Sequence, residues 1–231
     1  MYKKLIFLFS FIIVLASASS LTQAATEIWR EAESADPLTA PMATFADDPC
    51  ASGGEYIGVT AGNNSTSASP APDGTASYIF DVPATGTYKV FVRTKLATDT
   101  IDDDSSYARI DGATLSSTAG LVGGWIKWNN TYTQTGTKWT WIPIFNNGDG
   151  DAVEQFTMDA GQYTLEIAYR EDGMYFDAIL ITDDLALDPA TLPNEIPGGS
   201  SCVEENILVN GSFEDGVLAP WQFDNVSPAS Y

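Results

Sequence analysis

Residues 161–169 read GQYTLEIAY, and this segment decides the fold of the chain. Aromatic and apolar side chains occupy every second position: Tyr163, Leu165, Ile167 and Tyr169. This period of two is typical of a strand that buries one face. The segment therefore predicts a long β-strand packed on one side.

The same pattern recurs on both sides of that segment. Residues 78–82 and 88–92 alternate in the same way, and residues 175–181 form an apolar run interrupted by Asp177. Turn-forming residues separate such runs at short intervals, and no segment shows helical periodicity with caps. We predict an all-β domain at 26–184, built as a two-sheet antiparallel β-sandwich.

The N-terminus predicts export. Lys3 and Lys4 precede an apolar run at 5–15, and small residues follow up to Ala24, which is typical of a secretory signal peptide at 1–24. The run is too short to span a bilayer as a helix, so we expect a secreted protein without membrane insertion.

The C-terminus predicts further domains. Enrichment in Pro, Gly and Ser indicates a linker at 185–203. Residues 204–231 are too few to bury a core, so we interpret them as the incomplete start of a second β-sandwich module. In an oxidising compartment, Cys50 and Cys202 either pair with each other or Cys202 has a partner elsewhere.

Charge excludes several classes of function. The sequence has 31 acidic and 10 basic residues, a net charge of −21, and no His. Such a charge repels nucleic acid and anionic membranes. It also disfavours unaided binding of polyanionic glycans such as uronate polymers, with local basic residues or a bridging calcium as the alternative that would permit it. Without His, a Ser-His-Asp triad is impossible.

Three carboxylates suggest a cation site. Glu31 and Glu33 are two positions apart in a predicted opening strand, so their side chains share one face about 6.6 Å apart. Such charges repel each other unless a cation lies between them, and Ca²⁺ prefers oxygen ligands. Asp177 is a third carboxylate, inside an apolar strand. The alternative is that all three are solvated charges at a sheet edge.

The same carboxylates give no active site. Glu31 and Glu33 have a separation that suits a retaining glycosidase, but two residues on one strand cannot flank a glycosidic bond from both sides. We therefore predict no catalytic residues.

Tryptophans are concentrated in one segment. Four of the six tryptophans lie within residues 125–141: Trp125, Trp128, Trp139 and Trp141. Indole rings stack on the apolar faces of sugar rings, and neighbouring polar groups bind the hydroxyls. We expect Trp125, Trp128 and Trp139 to contribute to a carbohydrate site. Trp125 and Trp128 face opposite sides, so at least one should be buried, and the alternative is that the cluster only fills a core.

Two acidic loops complete the set of candidates. In the turn at 170–173, Arg170 and Asp172 are interpreted as hydrogen-bonding groups beside the aromatic rings, with a solvated hairpin tip as the alternative. The acidic run at 102–104 is interpreted as a solvated loop, with calcium binding as the alternative.

In their order along the chain, these motifs resemble carbohydrate-binding modules of families 6 and 35. The resemblance extends over nearly all of 26–184. The segments that carry it are 31–33, 51–57, 125–130, 160–173 and 177–181. Residues 206–216 are similar to the opening of modules of the family 4 and 9 type.

The resemblance implies a galactose-binding-like β-jelly-roll with a structural calcium held by the three carboxylates named above. It also implies a sugar site in the loops at one end, with stacking on Trp139. Where the family often has an Asn that binds sugar hydroxyls, this chain has Tyr175. Arg170 or Asp172 would have to replace that Asn.

These observations predict a non-catalytic carbohydrate-binding module of an exported bacterial polysaccharide-acting or surface protein. Its partners would be a polysaccharide or oligosaccharide and further domains of the same chain. The alternative is a structural or adhesive spacer in a large surface protein, without a ligand of its own.

Overall fold

A computed structural model of the chain describes residues 24–62, 70, 73–98, 100–129, 135–194, 196 and 197. The predictions about the signal peptide before Ala24, about Cys202 and about residues 204–231 fall outside these ranges. Regular structure in the described part consists of strands and short 3-10 turns. Within the same residues, no helix has the length and apolar character needed to cross a membrane.

The described residues form fourteen strands. Their bounds are β1 Glu27–Glu31, β2 Ala43–Phe45, β3 Tyr56–Gly58, β4 Thr75–Val82, β5 Gly86–Leu96, β6 Ser106–Asp111, β7 Thr114–Leu115, β8 Ile126–Trp128, β9 Thr140–Pro143, β10 Phe145–Asn146, β11 Ala152–Val153, β12 Phe156–Met158, β13 Gly161–Tyr169 and β14 Met174–Thr182.

Two antiparallel sheets form the sandwich. The larger sheet is centred on the β5–β14 pair. The free side of β14 pairs with β3 near its start and with β1 near its end, whereas the free side of β5 pairs with β12 and β9. Strands β2 and β7 flank β3 and β12. The smaller sheet has the order β4-β13-β6-β8, and β10 and β11 pair separately.

The core lies between the two sheets, and the alternation read from the sequence points into it. In β4, Tyr78, Phe80 and Val82 are buried, whereas the intervening Ile79 is 56% exposed. In β13, Leu165 and Ile167 are fully buried and pair with β4 across the sheet. Burying such side chains supplies the main driving force of folding. The prediction of an all-β antiparallel sandwich is confirmed.

A segment after the last strand packs back onto the outer face of the larger sheet. Leu187, Leu192 and Ile196 cover an apolar patch that includes Phe91 and Trp141. The Trp141 Nε1–H also donates to the Pro193 carbonyl, at 2.6 Å. We call the described part of residues 185–197 the strap. The first part of the predicted linker is therefore packed against the sandwich.

Candidate functional site

Beyond the strap, the outer face of the larger sheet carries an uncovered group of aromatic rings. We call these four residues the aromatic platform: Phe45, Tyr56, Trp139 and Tyr175. Tyr56 lies at the centre, with its ring centroid 5.2 Å from those of Phe45 and Tyr175 and 5.4 Å from that of Trp139. Tyr56 is buried, whereas the three surrounding rings are partly exposed.

Lys95 fills the space between three of these rings. Its Nζ lies 4.8 Å from the ring centroid of Trp139, 5.0 Å from that of Tyr56 and 5.8 Å from that of Tyr175. An ammonium group over aromatic faces is attracted by the electron density of the rings. Lys95 pairs with Tyr175 across the β5–β14 ladder, so strand register brings the amine to the platform.

Both nearby cations approach Trp139 from the sheet. The Arg93 guanidinium carbon lies 5.5 Å from the Trp139 ring centroid. Because Arg93 and Lys95 are two residues apart on β5, they share the outer face of the sheet. Trp139 contacts both cations and is still partly exposed, so part of its ring remains accessible.

Two carboxylates hold the platform in place. Asp48 accepts hydrogen bonds from the Trp139 Nε1–H, at 3.0 Å, and from Lys95. Burial alone would raise the pKa of Asp48, but hydrogen bonds from Lys95 and from the Cys50 N–H outweigh it and lower the pKa. Asp47 accepts a hydrogen bond of 2.7 Å from the Tyr56 hydroxyl. The platform therefore has fixed ring orientations before any ligand arrives.

The predicted glutamate pair lies at the edge of the same face. The opening strand ends at Glu31, and Glu33 lies in a 3-10 turn at Ala32–Ser34, so the prediction that both glutamates belong to one strand is wrong. The turn nevertheless brings them together. A Cβ atom placed on Gly53 would lie 3.2 Å from Glu33 Oε1 and 3.3 Å from Glu31 Oε1.

Asp177 is fully buried and lies next to this pair. The β5–β14 register shifts between Phe176 and Ala178, so Asp177 is the extra residue of a β-bulge. Its Oδ1 accepts from the Ser52 N–H at 2.7 Å, and its Oδ2 forms an ion pair with Arg93 at 2.5 Å. The alternative of solvated edge charges therefore fails for Asp177.

The electrostatics of these carboxylates favour the entry of positive charge. Burial, with the negative charges of Glu31 and Asp177, raises the pKa of Glu33 to about 7. Burial also raises the pKa of Asp177 to about 7, against the opposing effect of the Arg93 guanidinium. Glu33 Oε2 is buried and has no hydrogen-bond partner among the described residues.

The fit to a metal ion is partial. In the described part of the chain, no three His, Cys, Asp or Glu side chains surround one point closely enough to form a ready cluster. Both oxygens of Asp177 already accept hydrogen bonds from protein groups. Glu31 and Glu33 are the pair that fits a cation. Their carboxylate oxygens converge, and Glu33 Oε2 accepts no hydrogen bond from the described residues.

One short loop joins the glutamate pair to the aromatic platform. Asp48 binds Trp139, and the Cys50 carbonyl accepts a 3.1 Å hydrogen bond from Arg93. The Ser52 hydroxyl donates a hydrogen bond to Glu31 Oε1 at 2.9 Å, and its Oγ accepts one from the Ile196 N–H of the strap at 3.2 Å. Cys50 is disulfide-bonded, which anchors the middle of this loop covalently.

The other predicted tryptophans lie elsewhere. Trp128 is fully buried in the core, where its ring centroid is 6.3 Å from those of Phe145 and Phe176. Trp125 is 7% exposed on the outer side of the smaller sheet, with the Arg109 guanidinium carbon 4.3 Å from its ring centroid. The structure thus separates both from Trp139, and it confirms that they face opposite sides.

The hairpin tip is packed, in contrast to the alternative of a solvated tip. Asp172 is fully buried, and Arg170 bonds to Ser105, Glu171 and Asn129. Asp103 and Asp104 are 4% and 2% exposed, so the prediction of a solvated acidic loop is wrong for them. The tip ends beside Tyr175, whose pKa is raised by burial and by carboxylates that include Asp172.

Sequence reasoning missed most of the platform. Phe45, Tyr56 and Lys95 lie in three different strands, and only the β2–β3–β14–β5 order brings them together. Their signal in the sequence is weak, because Phe45 and Tyr56 are isolated aromatic residues in three-residue strands and Lys95 is a single basic residue near the end of β5. In the sequence, Tyr175 stands out only because it replaces an Asn of the carbohydrate-binding modules, which does not predict that it belongs to the site.

No known protein-family profile matches the chain, and no curated protein matches it significantly. Among solved structures, the C-terminal family 6 carbohydrate-binding module of a marine laminarinase from Zobellia galactanivorans is 19% identical, with a TM-score of 0.42 over 68% of this chain and 99% of that one. A family 35 module from Clostridium thermocellum is 14% identical, with a TM-score of 0.41 over 68% and 97% of the two chains. A β-(1,4)-mannanase with a family 35 module from Podospora anserina is 16% identical, with a TM-score of 0.45 over 71% of this chain and 29% of that one.

Proposed function

We propose that the domain is a non-catalytic carbohydrate-binding module and that sugar rings stack on the aromatic platform. The carrying observation is that Trp139 is partly exposed while Arg93 and Lys95 contact its ring and Asp48 accepts its Nε1–H. The sequence predicts that sugar rings stack on Trp125, Trp128 and Trp139. Only Trp139 keeps this role in the proposal, because the other two rings are covered by protein.

The platform combines the two kinds of group that a pyranose needs. Trp139 and Tyr175 offer partly exposed aromatic surface, on which the apolar C–H face of a sugar packs. Asp47, which accepts from the Tyr56 hydroxyl, supplies a polar group beside the rings, where sugar hydroxyls require partners. Arg170 and Asp172 belong to the tip beside Tyr175, and we propose that they support this end of the site.

We further propose that a structural Ca²⁺ binds at Glu31 and Glu33. The support is the convergence of the two carboxylates on one point, the unsatisfied oxygen of Glu33 and its raised pKa. A bound cation would remove the repulsion between the glutamates and fix the Asp47–Gly53 loop, which also holds the platform. Asp177 would act beside it by keeping Ser52 and Arg93 in position.

The proposed export of the protein agrees with these features. A disulfide at Cys50 and a calcium site both suit an extracellular protein. The polysaccharide partner, the further domains and the secreted location are parts of the same proposal.

The test compares two partly exposed tryptophans by affinity electrophoresis in a panel of neutral polysaccharides. Trp139→Ala should weaken binding by roughly tenfold or more, because a central aromatic anchor carries most of such an interface. Trp29→Ala is the matched control, since Trp29 packs against Trp141 under the strap, 5.7 Å between centroids. This control should keep its affinity even if it melts earlier.

A result in which Trp139→Ala migrates like the wild type would contradict the proposal. Absence of retardation by any polysaccharide, with the wild-type protein folded, would favour the alternative of a spacer without a ligand.

A further inference from the structure

Each cation at the aromatic platform is already paired with an acidic group. Lys95 forms an ion pair with Asp48, and Arg93 forms one with Asp177. The Arg93–Asp177 pair is buried, with side-chain exposures of 3% and 0%, so it is not accessible to a ligand. Neither cation therefore offers an unneutralised charge to a molecule on the platform.

The remaining charge of the platform is negative. Asp47 is exposed, and it accepts a hydrogen bond from the neutral hydroxyl of Tyr56. None of the ion pairs found among the described residues involves Asp47. A carboxylate at the edge of the rings accepts hydrogen bonds from neighbouring hydroxyls but repels another carboxylate.

Three carboxylates act on Tyr175, against the single ammonium group of Lys95, which lies 5.8 Å from the ring centroid and is already paired with Asp48. The Tyr175 phenol is influenced by Asp103, Asp47 and Asp172, all of them acidic, and burial and these charges raise its pKa. Asp103 and Asp172 are buried at 4% and 0% exposure, so their fields are weakly screened by salt. The Tyr175 end of the platform is thus negative as well.

One basic residue nearby has to be considered. Lys138 is exposed and precedes Trp139 in the chain. Its backbone carbonyl accepts a 3.1 Å hydrogen bond from the Thr140 hydroxyl, but no ion pair of the described residues fixes its amine at the platform. A mobile surface lysine contributes little directed attraction.

We propose that the platform selects uncharged pyranose residues and rejects uronates, with Asp47 as the specificity-determining residue. This inference rests on the proposed function and names the ligand class for that same site. Asp47 would bind the hydroxyls of a neutral sugar and repel the carboxylate of an oxidised one.

The experiment uses one polysaccharide in two forms. The full chain is titrated with the neutral hexose polymer that binds best in the panel, and with the same polymer after its C6 hydroxyls are oxidised to carboxylates. The protein is first saturated with Ca²⁺ and then desalted, so that the proposed structural site is filled while no free calcium bridges two carboxylates. The oxidised form should bind roughly tenfold more weakly at low salt, and added salt should narrow the difference.

Asp47→Asn keeps an acceptor for the Tyr56 hydroxyl but removes the charge. The variant should bind the neutral polymer only about threefold or less more tightly than the oxidised polymer. This ratio is the readout, even if the affinity for the neutral polymer also changes. Asp81→Asn is the matched control, because Asp81 is an exposed acid on β4 of the other sheet, and its ratio should stay at the wild-type value.

Equal or tighter binding of the oxidised polymer would overturn the inference while leaving glycan binding intact. The inference would also be overturned if the oxidised polymer bound and Lys138→Gln abolished this binding, since a basic residue would then set the specificity. Failure of both forms to bind would overturn the proposed function and this inference together.

Discussion

At the scale of single residues, Gly53 is the point at which the backbone and the glutamate pair constrain each other. Its φ of +64° lies in the left-handed region that favours glycine. A Cβ there would come within 3.2 and 3.3 Å of carboxylate oxygens of Glu33 and Glu31. The next residue, Gly54, also has a positive φ, of +86°, but a Cβ on it would meet no atom within 4 Å.

The pair Gly53→Ala and Gly54→Ala separates backbone strain from crowding of the glutamates. Both variants should lose about 1–2 kcal/mol from the left-handed conformation. Only Gly53→Ala should also weaken Ca²⁺ binding, since its methyl group pushes the two carboxylates apart. Isothermal titration with Ca²⁺ and thermal melts measure the two effects. Equal Ca²⁺ affinities for the two variants would show that the glutamate pair does not hold the ion.

At the scale of elements, the strap behaves as part of the sandwich. Leu187, Leu192 and Ile196 pack on the patch that contains Phe91 and Trp141. The 3-10 turn at Pro189–Thr191 begins after Asp188, whose side chain accepts the Ala190 N–H. These contacts explain why a segment with the composition of a linker is packed.

Replacing Leu187 and Leu192 together by Ser should loosen the strap. We expect a loss of about 2–4 kcal/mol of unfolding free energy, from two half-buried leucines. Trp141 should then emit at longer wavelength, because water reaches its ring. Leu185→Ser is the matched control, since Leu185 is 39% exposed and its change should be small. An unchanged melt of the double variant would mean that the strap does not stabilise the domain.

At the scale of the whole molecule, stability should depend on pH through the buried carboxylates. Glu33 and Asp177 have ordinary values of 4.5 and 3.8, and burial raises the pKa of each to about 7. The folded state therefore holds more protons than the unfolded state between these values. Their contribution to the free energy of unfolding is present at low pH and is lost as pH rises towards about 7.

In chelator, the melting temperature should fall between pH 5 and pH 7.5. The proposed Ca²⁺ would bind the deprotonated groups of the native state, so the rise in melting temperature that added Ca²⁺ causes should grow over the same range. Glu33→Gln should flatten the pH dependence in chelator and remove much of the calcium effect. A melting temperature that rises with pH in chelator, in wild type and variant alike, would contradict this account.

The fold of the whole molecule was accessible from the sequence because its signal is local. Alternation at Tyr78, Phe80 and Val82 follows from the two-residue period of a strand with one buried face, whatever the strand pairs with. The bulge at Asp177 was not accessible, since one extra residue leaves an apolar run nearly unchanged. Only the pairing with β5 reveals it.

The site was harder to predict because its parts come from distant segments. Trp128 and Trp139 are close in sequence, but the chain passes from the smaller sheet at β8 to the larger sheet at β9 between them. The Trp128 side chain therefore lies in the core, whereas Trp139 lies on the outer face of the larger sheet. Tyr56 and Lys95 meet through strand pairing that no local pattern encodes, so neither was predicted.

The strap also limits how a long polymer lies on this surface. Along β5, the partly exposed rings surround Lys95, whereas the strap already covers Phe91. Lys95 and Phe91 are four residues apart on the strand, a distance of about 13 Å. A chain of sugars that followed the strand direction would meet the strap within a few units. If glycan binds here as proposed, a long polymer would cross the strands sideways or present its end.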